Sequence, residues 1–136
     1  MCIRDRTKYS VVCESNYERG FFATEKTGKP LIAKRLFIVF APPNFLQNLQ
    51  DLGFKTFHGI IDESYDQEVD IVKRFEMAFK QINWLSSQDY FKIQQQAASV
   101  FEHNQSHLIN LRQETKLQMQ KMVYNKLKEI KHVNSV

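Results

Sequence analysis

Cysteine, proline, glycine and tryptophan are all scarce in this sequence: two, three, four and one in 136 residues. The two cysteines, Cys2 and Cys13, have no metal-ligand spacing, so neither a disulfide framework nor a zinc site is expected. With so little cysteine, the expected setting is a reducing, cytoplasmic one. No run of about 18 apolar residues occurs, which excludes a helical membrane span. The first residues lack an apolar h-region, so no signal peptide is expected. Internal repeats are absent, and Gln94-Gln95-Gln96 is the longest low-complexity run. Charge of either sign is not in great excess. The formal net charge of +4 reads as mild and scattered, enough to permit phosphate binding but not to argue for a nucleic-acid partner.

What is present is aromatic. Eleven Phe and five Tyr supply large groups to bury, in a chain long enough for one domain with a modest core. The opening six residues, Met1 to Arg6 (MCIRDR), resemble a translated sequencing-adapter tail and are set aside from fold reasoning. On that reading Cys13 is the sole cysteine, and the natural chain is expected to be longer, with this its C-terminal piece. The remainder divides into an α/β core over 7–66 and a helical region over 67–136.

Residues Lys8 to Glu14 (KYSVVCE) form a short β-branched and aromatic run ahead of a polar stretch, Ser15 to Gly20. That is a strand and a loop, and its apolar centre suits a buried parallel strand. Thr24 is a good N-cap, and Glu25 suits the positive end of the helix that follows. Gly28 and Pro30 weaken this helix; a distorted first turn is expected, then a better-formed segment through Lys34. Leu36 to Ala41 (LFIVFA) is the clearest strand and reads as central and buried on both faces. Pro42-Pro43 ends it and starts a helix from about Asn44 to Leu52, with Gly53 as its C-terminal cap. Phe54 to Phe57 alternates with period two and reads as a third strand. The alternation β-α-β-α-β, with connections too long for hairpins, predicts an α/β fold: a short parallel Rossmann-like sheet flanked by helices, followed by an extended helical C-terminal half.

Beyond the core, Ser64 and Gln67 resemble a capping box opening a helix from about Tyr65 to Leu85, with Val69, Val72, Phe75, Phe79 and Ile82 on one face. Trp84 closes it. Ser86 to Asp89 reads as a break with a new N-cap, then helices from Tyr90 to about Glu102 and from His103 or Gln105 to about His132. A stripe of Leu108, Leu111, Thr115, Met119, Met122, Leu127, Ile130 and Val133 runs down the tail.

Thr24-Glu25-Lys26 carries the chemistry most clearly. A helix N-terminus that follows a parallel strand lies at the C-terminal edge of the sheet, where ligands of open α/β folds bind. A lysine there can meet phosphate charge, and a carboxylate can accept hydrogen bonds from ribose hydroxyls. The plainer reading is a capping turn with two solvated charges.

The stretch from Cys13 to Phe40, CES…FFATEK…LFIVF, resembles the donor-binding motif of the α1,3-fucosyltransferases and related two-Rossmann-domain (GT-B-like) glycosyltransferases. That motif runs roughly F-E-N-S, a short gap, Y-I-T-E-K, a helix, and V-P-V-V. Glu14 matches its first Glu, Ser15 lies near its Asn-Ser, Thr24-Glu25-Lys26 matches T-E-K, and Phe37-Ile38-Val39 matches the closing strand. Phe22 stands where the motif has Tyr, and Lys34 where a small Gly is usual. The longer run through GFKTF and IDESYD also looks like phage and giant-virus proteins of glycosyltransferase type. The resemblance implies a nucleotide-sugar donor, held through its ribose and phosphates by Glu25 and Lys26, with Glu14, Ser15, Thr24 and Phe22 around it. It implies transfer to an acceptor hydroxyl with no metal or other cofactor. A catalytic base and acceptor site would lie in an N-terminal domain that this piece lacks, leaving it inactive alone.

Other candidates have plainer explanations. Asp62, Glu63 and Asp66 form an acidic cluster that matches no calcium loop and suits a helix N-terminus. His58 reads as a loop histidine near the third strand. His103 and His107 are spaced i,i+4 as metal ligands can be, but lack the intervening Glu of a metalloprotease and a third ligand. Cys13 reads as a small core residue. The competing functional class is a non-enzymatic interaction module that docks a partner through its C-terminal helix.

Overall fold

The computed structural model describes residues 7–14 and 21–133, with side chains through Lys128. Strand β1 (Ser10–Cys13) pairs in parallel with β2 (Phe37–Phe40), Ser10 opposite Phe37 and Cys13 opposite Phe40. Parallel strands need a crossover, and here it is α1 (Glu25–Ile32). The chain continues through α2 (Phe45–Asp51), a 3-10 turn (Ser64–Gln67), α3 (Ile71–Ser87) and α4 (Tyr90–Val133). The architecture is thus α/β and mostly helical, with two strands in its sheet among the described residues. None of the described helices is long and apolar enough to cross a membrane.

Leu36 through Ala41 are all buried, as a strand covered on both faces requires. β2 is central in burial only. On the side away from β1, the Val39 N–H meets the Tyr65 hydroxyl at 3.5 Å. β1 departs from the buried strand expected. Val12 is buried, but Val11 and Cys13 alternate onto an uncovered face, so Cys13 is exposed and not a core residue.

Helix α1 begins on the Thr24 cap, whose hydroxyl accepts the Lys26 N–H at 3.2 Å. It tolerates Pro30 and ends two residues earlier than expected. There the Arg35 N–H closes back onto the Pro30 carbonyl at 3.0 Å, with Lys34 in the left-handed region at φ 53°. Helix α2 ends as the sequence predicts. Gly53, at φ 90°, donates to Gln50 O at 2.8 Å, and Phe54 donates to Leu49 O at 3.1 Å. These two bonds make a Schellman closure.

Three expected elements differ. Phe54 to Phe57 is not a strand. A side chain takes both backbone groups of Lys55: Asn104 of α4 accepts from Lys55 N and donates to Lys55 O, both at 2.8 Å. Glu63 accepts from Phe57 N at 2.7 Å. A segment held this way has no need of a third ladder. The helix expected from Tyr65 starts at Ile71, because Asp70, not Ser64, is the cap and accepts from Lys73 N at 2.9 Å. Its buried residues are Arg74, Ala78 and Leu85, while Val69, Val72, Phe79 and Trp84 are exposed. The break expected near Glu102 does not occur. Asp89 caps α4 through Phe91 N and Lys92 N, and no Gly or Pro interrupts the helix through Val133.

The first half of α4 packs on the core through Ile93, Ala97, Phe101 and Asn104, at spacings of four, four and three. Leu108 and Leu111 are half-buried on the same line. From Arg112 to Lys128 every residue is exposed, Thr115, Met119, Met122 and Leu127 included. Ile130 and Val133 lie outside the described side chains.

Candidate functional site

Where β1 runs out, Glu14 turns inward and is buried. One carboxylate oxygen accepts from the Thr27 hydroxyl at 2.6 Å and from the Thr24 N–H at 3.1 Å. The other accepts from the Thr24 hydroxyl at 2.7 Å. Glu14 therefore clamps the first turn of α1 to the C-terminal end of β1. Burial pushes its carboxyl up. The hydrogen bonds from Thr27 and Thr24, aided by the Lys26 charge, outweigh burial and hold it below the ordinary value.

The corner so built brings Glu14, Thr24, Glu25 and Lys26 together at the C-terminal edge of the sheet. Glu25 and Lys26 are exposed there, on successive residues of the first turn. Phe22 is also exposed, while Phe21 is half-buried and packs on Phe45, the first residue of α2, with ring centroids 5.0 Å apart. That contact draws the N-termini of α1 and α2 to one edge. Ser15 lies outside the described residues.

Two features alter the chemistry expected of this corner. First, amides at this turn are already engaged: Thr24 N by Glu14, Lys26 N by the Thr24 hydroxyl, and Thr27 N by the Thr24 carbonyl. Second, Glu14 has both oxygens occupied within the chain. An incoming anion would thus meet the Lys26 ammonium and not a row of open N–H groups. The Glu14 carboxylate holds the first turn of α1 in place.

The N-terminus of α2 is filled in the same manner. Asp66 reaches from the 3-10 turn and accepts from Leu46 N at 2.8 Å and Gln47 N at 3.1 Å. Its carboxyl is pushed up by burial, and the amides of α2 and the nearby Arg74 oppose that. The acidic cluster therefore disperses into structural roles. Asp66 caps α2, and Asp62 accepts from Ser64 N at 3.0 Å, which with the Ser64 hydroxyl pulls its carboxyl down. Glu63 holds Phe57, and burial pushes its carboxyl up. With His58, these residues line a cavity of about 740 Å³ beside α2, together with Leu46, Ile60 and Ile61. Among the described residues no three His, Cys, Asp or Glu side chains group as a metal site.

His103 and His107 are likewise occupied. Each Nε2–H donates to a carbonyl at the C-terminus of α2, His103 to Gly53 at 2.8 Å and His107 to Leu52 at 2.7 Å. The i,i+4 spacing that suits a metal also lets two rings on one helix terminate another.

Sequence reasoning passed over Thr27, Asn104 and Arg74. Asn104 was findable, since it continues the apolar line of Ile93, Ala97 and Phe101. Arg74 is buried with its guanidinium donating to Glu68 O at 2.7 Å, and no local pattern signals that. No family model, curated protein or solved structure matches the chain.

Proposed function

We propose that the β1-α1-β2 unit is a Rossmann-like, donor-binding unit of a glycosyltransferase-like protein. The corner at Thr24-Glu25-Lys26 would hold a nucleoside diphosphate sugar for transfer to an acceptor hydroxyl. The observation that carries this reading is the parallel crossover with α1 clamped by Glu14, which sets Glu25 and Lys26 side by side at the sheet's C-terminal edge. Ligands of open α/β folds bind at that edge. The resemblance of Glu14 and Thr24-Glu25-Lys26 to the fucosyltransferase donor motif supports the same assignment.

In this reading Lys26 meets the diphosphate charge, and stabilises it further as the sugar–phosphate bond breaks. Glu25 accepts from the ribose hydroxyls, and Phe22 offers an exposed ring beside them. Glu14, Thr24 and Thr27 bind nothing; they fix the turn. An NMR titration with GDP, UDP and ADP tests the assignment. Saturable amide shifts confined to Phe22–Gly28 and the end of β2 are expected. Shifts scattered over the Lys-rich tail, or none, would refute it.

A further inference from the structure

The net charge of +4 is not scattered. Residues 112–136 carry six Lys and Arg against two Glu, so this stretch alone holds the whole excess and the rest of the chain balances. From Arg112 to Lys128 this stretch is the part of α4 on which every residue is exposed. Beside it lies an apolar groove of about 1360 Å³, formed with α1. Leu111, Met119, Val123 and Leu127 line it from α4, and Ile32 lines it from α1. Met119 is 59% exposed and Leu127 55%, so this apolar surface is uncovered.

We infer that the groove receives an acidic amphipathic helix from a partner protein. Shape points to a helix. From Leu108 to Leu127 the α4 wall runs about 28 Å, and α1 supplies the second wall over its eight residues, about 12 Å, so a helix would seat against both walls at one end and lie along α4 beyond. A bilayer surface is flat and does not fill the groove where α1 stands beside α4. Gly28 lies in the α1 wall, and a Cβ placed there would meet nothing within 4 Å. The wall is thus open for close helix approach.

Charge selects the partner's sign. The lining holds Lys29, Arg112 and Lys116 against Glu25 alone, with the rest of the basic tail beyond. A second copy of this chain would bring two such tails together and is disfavoured by repulsion. An acidic helix brings the complementary charge, with its own apolar face toward Met119 and Val123.

The test uses a fluorescein-labelled synthetic helix of leucine and glutamate in amphipathic spacing, about 20 residues long, against the full chain. Anisotropy should show saturable binding, weakened at least tenfold by Gly28→Leu, which fills the groove, and by Lys116→Glu. Affinity should also fall in high salt. Met119→Asp, at an exposed position, provides the same loss independently of any effect on α1. Four results would overturn the inference: no binding, equal binding of a lysine-for-glutamate control peptide, or binding indifferent to Gly28→Leu and Met119→Asp. The fourth is occupation of the groove by something else, seen as binding to phosphatidylserine vesicles without peptide binding, or as self-association that Gly28→Leu abolishes.

Discussion

Replacing Glu14 withdraws the acceptor from three donors at once. The most exposed to loss is Thr27, whose side chain is 1% accessible and whose hydroxyl gives its bond to Glu14 at 2.6 Å. A buried donor left without a partner costs about 1–3 kcal/mol, and the Thr24 N–H and hydroxyl add smaller losses because water reaches them. Glu14→Ala should therefore cost about 3–4 kcal/mol, a large share of the 5–15 kcal/mol typical of a domain. Glu14→Gln keeps the shape and loses the charge, and should cost about 1–2 kcal/mol, the difference between charged and neutral hydrogen bonds. In a double-mutant cycle with Thr27→Val, the coupling should reach about 1 kcal/mol or more. Urea unfolding followed by far-ultraviolet circular dichroism measures all of these. The pH dependence supplies the sign. The folded Glu14 carboxyl lies below its ordinary value of 4.5, so its contribution is full above that pH and fades as the pH falls through the folded value. The gap between wild type and Glu14→Gln should accordingly close on acidification below about pH 4.5. A gap absent at pH 7, or one that stays constant down to pH 3, would refute the clamp.

Other consequences follow from the caps and closures. Asp66→Ala should cost about 2 kcal/mol, because a cap and a buried partner go together, and hydrogen exchange should speed up at the amides of Leu46 and Gln47. Gly53→Ala should cost about 2 kcal/mol, from a left-handed backbone and from a Cβ 2.8 Å from His107 Nε2. In a His107→Ala background that added cost should drop to about 1 kcal/mol, and strict additivity in denaturant melts would contradict the contact. Asn104→Ala should cost about 2–3 kcal/mol and expose the Lys55 amide to exchange, whereas a surface glutamine such as Gln95 should tolerate alanine.

The elements legible in the sequence were those set by local chemistry. Thr24 and Asp89 announce helix starts through short polar side chains ahead of helical runs, and Gly53 announces a stop because it alone accepts the left-handed turn cheaply. LFIVF reads as a buried strand because nothing in it is polar. The capping turn at Thr24 was legible too, but the partners of the Glu14 carboxylate were not. Whether a carboxylate faces a ligand or folds back onto Thr27 depends on a contact across thirteen residues that no local pattern encodes. The third strand failed for a similar reason. Period-two alternation in FKTF reports a half-buried extended segment, and it does not report whether the backbone partners come from a strand or from Asn104, 49 residues away. The acidic cluster and the histidine pair were rightly set aside as metal ligands, but their actual partners were not legible. Asp66, His103 and His107 bind helix termini distant in sequence, and their local spacing mimics that of metal ligands.

Ligand binding at the corner is tested most directly by calorimetric titration of nucleoside diphosphates into the wild-type chain, Lys26→Ala and the control Lys29→Ala. A charged hydrogen bond to phosphate contributes about 1.5–3 kcal/mol, which is a loss of about 10- to 150-fold in affinity. Wild type and Lys29→Ala should bind at least one diphosphate comparably, and Lys26→Ala should bind it at least tenfold more weakly with unchanged unfolding. No binding by the wild type, or equal binding by Lys26→Ala, would contradict the assignment.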